Sequence, residues 1–174
     1  MPVRLAVSMA SAAVLAIVAV TPAAAAPESF RATFSGTFTI GFAGCSNGDD
    51  HLLFHGPGIA TRGGSSWISG ESCLRHNPLR PGCSTIETDA TTITAADGSA
   101  IQFVNAGEDC LDPTTGVING IATYSIVGGT GRLLGAEGNG NITVTAPVTQ
   151  ITATGALGTF NPLSFSGSIT SPQQ

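Results

Sequence analysis

The run F-R-A-T-F-S-G-T-F-T-I-G-F at residues 30–42 decides the fold class. Phe30, Ala32, Phe34, Gly36, Phe38, Ile40 and Phe42 share one phase of a two-residue period, while Arg31, Thr33, Ser35, Thr37 and Thr39 occupy the other. Successive strand side chains point to opposite faces, so the pattern predicts a long half-buried strand, apolar inside and hydroxylated outside. Working outward, strands are predicted at residues 52–61, 66–72, 85–94, 100–105, 117–127, 138–145, 148–154 and 159–169, each bounded by Gly, Pro, Asn or Asp. Their β-branched Thr, Val and Ile suit a pleated surface. No convincing amphipathic helix interrupts them. Eight or nine short strands imply an all-β barrel or sandwich, with no repeat, low-complexity tract or linker to divide it.

Composition narrows the class further. The 174 residues fit one domain, and a 42% apolar share is enough for a core. With 6 basic against 11 acidic side chains and no lysine, neither nucleic acid nor an anionic membrane surface is expected as the main partner. Residues 1–26 read as a secretory signal: Arg4, a charge-free run from Leu5 to Val20, Pro22, and an Ala24-Ala25-Ala26 cleavage site before Pro27. That apolar run is shorter than the roughly 20 residues a bilayer-spanning helix needs. A single domain is expected at residues 27–174, secreted and free of the membrane after cleavage. Much of the mean hydropathy of +0.30 belongs to the leader.

Cys45, Cys73, Cys83 and Cys110 all lie in the exported part, where disulfides form and persist. A zinc site is the rival reading, but no pair has C-x2-C spacing. Two pairings are open: Cys45 with Cys73 and Cys83 with Cys110, or Cys73 with Cys83 and Cys45 with Cys110. The first is preferred because it joins neighbouring loops. If the strands run simply up and down, parity puts all four cysteines on one rim and the Gly128 to Gly131 connection at the opposite end.

Residues 124–138 read Y-S-I-V-G-G-T-G-R-L-L-G-A-E-G. This segment resembles the V-G-G-T-G-[KR]-[FL]-x-x-A-x-G hairpin of dirigent proteins and of secreted bacterial proteins of the allene oxide cyclase-like group. Gly58-Ile59-Ala60-Thr61 and the long first and last strands are also similar to the bacterial members. The resemblance implies an antiparallel barrel of eight strands or slightly more, calycin-like. It transfers no catalytic residue to this chain. As a phosphate loop the glycine cluster fails, since it matches neither G-x-G-x-x-G nor G-K-[ST] and joins two strands. Its glycines are read as positive-φ positions of a tight turn.

Candidate chemistry is sparse. His51 and His55 share a strand face but lie about 13 Å apart at about 3.3 Å per residue, too far for one metal ion. Asp49-Asp50-His51 and Glu108-Asp109 with Asp112 read as solvated rim loops rather than calcium sites, which need six to eight oxygens. No metal or cofactor is expected. There is no G-x-S-x-G elbow, and Asn141-Ile142-Thr143 fits a glycosylation acceptor. Trp67 and Tyr124 are the candidate ligand-lining aromatics, with ordinary core packing as the alternative.

An eight-stranded barrel is either filled by side chains or holds one small ligand. Three functions therefore stand: a secreted non-enzymatic barrel that binds or orients a small apolar molecule, a dirigent- or cyclase-like isomerase acting in the cavity, or a structural barrel with a filled core. An isomerase needs a carboxylate in an apolar pocket, whereas the acidic residues fall mainly in predicted loops. Any ligand is expected to enter at the cysteine-bearing rim.

Overall fold

Alternation of inward and outward side chains runs through the strands, broken at a few register shifts, and pairing of the last strand with the first closes the sheet on itself. The structure, a computed structural model, describes residues 26–171, with residues 87–89 described by backbone alone. The leader at residues 1–26 lies outside the described residues except for Ala26. Eight strands follow in order: β1 (Glu28–Gly41), β2 (Asp50–Ala60), β3 (Gly64–His76), β4 (Cys83–Ala95), β5 (Ala100–Asp112), β6 (Val117–Gly129), β7 (Glu137–Thr152) and β8 (Gly155–Thr170). Each pairs antiparallel with its chain neighbours, and β8 returns to β1 along Glu28↔Ile169 to Gly41↔Gly155, giving a closed barrel. Among the described residues, closure leaves no edge strand exposed for pairing with another chain.

In β1, Phe30, Ala32, Phe34 and Phe38 are buried while Arg31, Thr33, Ser35, Thr37 and Thr39 are exposed, as the period of two requires. The same alternation in the other strands builds a core from Ile68, Ile93, Ile101, Phe103, Tyr124, Ile142, Phe165 and Ile169. Among the described residues the helical content is one three-residue 3-10 turn, η1 (Gly131–Leu133).

Three sequence expectations need correction. The strands expected at residues 138–145 and 148–154 are one strand, β7, which runs through an outward-facing Pro147. Proline cannot donate to the ladder, and the register shifts on either side of Val148 accommodate it. Second, β5 does not stop at residue 105 but continues to Asp112, so Asp109 stands in the wall rather than in a loop. Third, the Gly128–Gly131 connection is more than a tight turn. Gly131 takes φ +59° to start η1, which folds Leu133 and Ala136 into the core as a plug.

The connections sort by parity. At one end lie the segments 42–49, 77–82, 113–116 and 153–154; at the other lie 61–63, 96–99 and the plug. Disulfides Cys45–Cys73 and Cys83–Cys110 both brace the first end. Arginines tie the plugged end. Arg62 Nε donates to Glu28 Oε2 (2.9 Å) and Arg62 Nη1 to Ser171 Oγ (3.0 Å), while Arg132 pairs with Asp97 and donates to the Arg62 carbonyl.

Candidate functional site

The barrel interior divides into two compartments. Around the plugged half, Phe30, Phe34, Phe103, Tyr124 and Phe165 pack as tilted and edge-to-face pairs, with Phe103 5.4 Å from Tyr124 and 5.5 Å from Phe165. Rings at such separations add specific attraction to the apolar area they bury. Above them Phe54 and Phe160 meet edge to face at 6.4 Å. With Phe38 and Phe165, they line a cavity of about 260 Å³ under the disulfide-braced end. Its walls are aliphatic, including Leu52, Leu74, Ile118, Ile142 and Val144, and it reaches the rim at the exposed His76 and Gly82.

A few polar side chains enter this apolar space, chiefly Asp50, Ser72, Asn105 and Asp109. Asp50, the first residue of β2, shares the inward phase of Leu52 and Phe54 and is only 8% exposed. Its Oδ1 accepts the Ala43 N–H (3.0 Å), and its Oδ2 faces His76 Nε2 at 3.3 Å. Asp109 sits on β5 in the inward phase of Ile101, Phe103 and Asn105, opposite Gly120 of β6. A Cβ added at Gly120 would lie 2.1 Å from Asp109 Oδ1 and 2.5 Å from Val144 Cγ1. The missing side chain is what gives the carboxylate its place. Asn105 Nδ2 donates to the buried Thr91 Oγ1 at 2.9 Å.

The two aromatics singled out from sequence stand elsewhere. Trp67 points out of the barrel, 48% exposed and stacked on His55 at 5.8 Å, because it lies out of phase with the inward Ser66 and Ile68. Tyr124 is buried in the filled half rather than at the cavity. Among the described residues its hydroxyl has no hydrogen-bond partner, and burial pushes its pKa up to about 12.

The histidines do not converge. His51 faces Glu71 at 3.7 Å on the outer side, and His55 is committed to Trp67. At the rim, Asp49 faces Arg75 (3.5 Å) and Glu108 pairs with Arg80. The Asp112 carboxylate accepts hydrogen bonds from Thr114 N–H and the Thr115 hydroxyl, which hold its pKa below the usual carboxylate value. Cys83, Cys110 and Glu108 bring ligand-type atoms within 4.8 Å of one another, but both sulfurs belong to the disulfide. Asn141 is exposed on β7.

Sequence reasoning therefore missed Asp50, Asn105 and Asp109 as interior groups. The signal that finds them is the strand phase, extended past the last obviously apolar residue. Among the described residues, no helix is long and apolar enough to cross a membrane.

No family model matches the sequence, and a search of curated proteins gives no match. Among solved structures, the chain is similar to the pterocarpan synthase dirigent protein GePTS1. The identity is 10%, with 90% of this chain and 97% of that one covered and a TM-score of 0.20.

Proposed function

We propose that this chain is an exported barrel of the allene oxide cyclase and dirigent type that binds or orients a small apolar ligand in its hollow half. The observation that carries the reading is the cavity of about 260 Å³, walled by aliphatic and aromatic side chains with few polar groups. Ligand sites are built this way, and an apolar cavity of about 150 Å³ already accepts benzene. Export is supported by the leader and by the two disulfides. N-terminal sequencing of secreted material should start within a residue or two of Pro27, and an intact Met1 would refute it.

The test of binding is equilibrium dialysis of the mature protein against naphthalene. Saturable uptake is expected, and Val144→Trp, which fills the cavity, should abolish it while the protein stays folded by circular dichroism. Absence of uptake by the native chain would refute the reading.

Asp50 and Asp109 favour a second reading, proton transfer on the bound molecule. A carboxylate held against apolar walls is a usual general acid or base. In D2O the protein should then accelerate deuterium exchange at the enolisable carbons of 2-tetralone, an effect lost in Asp109→Asn. Exchange at the buffer rate would leave binding alone.

A further inference from the structure

We infer that the cavity selects ligands by charge and by hydrogen-bond polarity: it takes one- or two-ring molecules carrying a hydroxyl or an amine and rejects those carrying a carboxylate. The inference rests on the binding reading above and specifies its ligand.

The cavity lining includes the carboxylates Asp50 and Asp109 but no arginine, and the sequence has no lysine. His76, which faces Asp50, is the one lining side chain among the described residues able to carry positive charge. The two guanidiniums at this rim are already engaged, Arg75 opposite Asp49 and Arg80 on Glu108. Asn105 gives an amide N–H to Thr91, which commits one of the donors the lining has to offer. Among the described lining residues, anionic hydrogen-bond acceptors thus outweigh cationic donors in a space of low polarity.

A ligand carboxylate brought here would lose its hydration and meet like charge. A hydroxyl or ammonium would instead donate a charge-assisted hydrogen bond to Asp109 or Asp50, the stronger kind. Gly120 bears on this directly. Its lack of a Cβ lets the Asp109 carboxylate lie along the inner wall, where an alanine in its place would collide with it.

The experiment is equilibrium dialysis of the mature protein against four matched probes: naphthalene, 2-naphthol, 2-naphthylmethylamine and 2-naphthoate, followed by probe fluorescence. The amine and the naphthol should bind at least tenfold more tightly than the naphthoate, because in a partly desolvated site a like charge is disfavoured by well over that factor against either an opposite charge or a neutral hydroxyl. Asp109→Asn and Asp50→Asn should narrow the gap between amine and naphthoate, with naphthalene affinity little changed. The ranking in the native protein needs no variant to fold. Naphthoate binding as well as naphthol, with naphthalene bound, would overturn the charge selection and leave the cavity reading standing. A ranking that both variants leave unaltered would overturn the role of the aspartates. Failure of all four probes would overturn the cavity reading itself.

Discussion

Toward its plugged end the barrel closes over Phe30, Phe34, Phe103, Tyr124 and Phe165, each ring within 6.1 Å of a neighbour. Toward its disulfide-braced end Asp50 of β2, Ser72 of β3, Asn105 and Asp109 of β5 and Gly120 of β6 stand among aliphatic and aromatic walls, and a cavity of about 260 Å³ remains between them. Strand number sets the diameter of a barrel, so the backbone imposes neither outcome. Side-chain size at the inward positions decides it, one row at a time. In the lower rows the rings meet across the interior and make a rigid base; in the upper rows Ser72, Asn105, Asp109 and Gly120 interrupt the aliphatic and aromatic wall, leave room and place charge in it.

The largest effect should come from opening the solid half. Phe103 is 1% exposed and touches three other rings, so Phe103→Ala should cost about 3–5 kcal/mol in urea denaturation. Leu52 already borders the cavity on one side, so Leu52→Ala loses fewer contacts and should cost about 1–2 kcal/mol. Equal costs would erase the distinction between the halves.

Next come the bridges, which both belong to the hollow end. They span 28 and 27 residues, and the loop-entropy relation gives roughly 3.5 kcal/mol for each. Replacing Cys83 and Cys110 together by Ser should lower stability by about that amount. Amide exchange should rise first in the upper parts of β4 and β5 and leave the ring cluster protected. Uniform loss of protection would show that the two halves unfold as one.

Tyr124 sharpens the contrast at smaller magnitude. Among the described residues its buried hydroxyl has no partner, so Tyr124→Phe should be neutral or stabilising by about 1 kcal/mol. The folded-state pKa of about 12 lies above the value near 10 of an exposed tyrosine. The folded state therefore holds the proton more tightly, and stability present below pH 10 is lost as the pH rises through 12. Denaturation midpoints across that window should fall in the native protein and fall less in Tyr124→Phe. Smallest of all, Trp67→Ala should shift stability by less than about 1 kcal/mol and leave naphthalene uptake unchanged, since the indole is on the outer surface.

Legibility in the sequence follows the same division. The filled half announces itself, because Phe and Ile at alternate positions of β1 and β5 form a hydrophobic period that needs no structure to read. Parity then places the rims, and the cysteine pairing in the structure is the first of the two considered. The hollow half is quiet for a physical reason. Asn105, Gly107, Asp109 and Gly120 are inward positions that bury little apolar surface, so on β5 and β6 the hydrophobic signal fades where the site begins. Hydrophobic periodicity accordingly ends β5 at residue 105 and leaves Asp109 in a loop, whereas the strand runs to Asp112. Trp67 misled in the opposite direction: a large aromatic suggests the interior, whereas its phase relative to Ile68 says otherwise. Where ring size and phase disagree in a strand, phase is the better guide, since the pleat fixes direction.

The pairing of Glu28 with Ile169, and the grip of Arg62 on both Glu28 and Ser171, bring the first and last strands out of the barrel together at its plugged base. This gives the molecule a built-in orientation. A tag, a surface linkage or a fused domain joined just before Glu28 or just after Ser171 holds the protein by its base and leaves the mouth facing away, so immobilised protein should keep the same probe affinity as protein in solution whichever of the two positions is used.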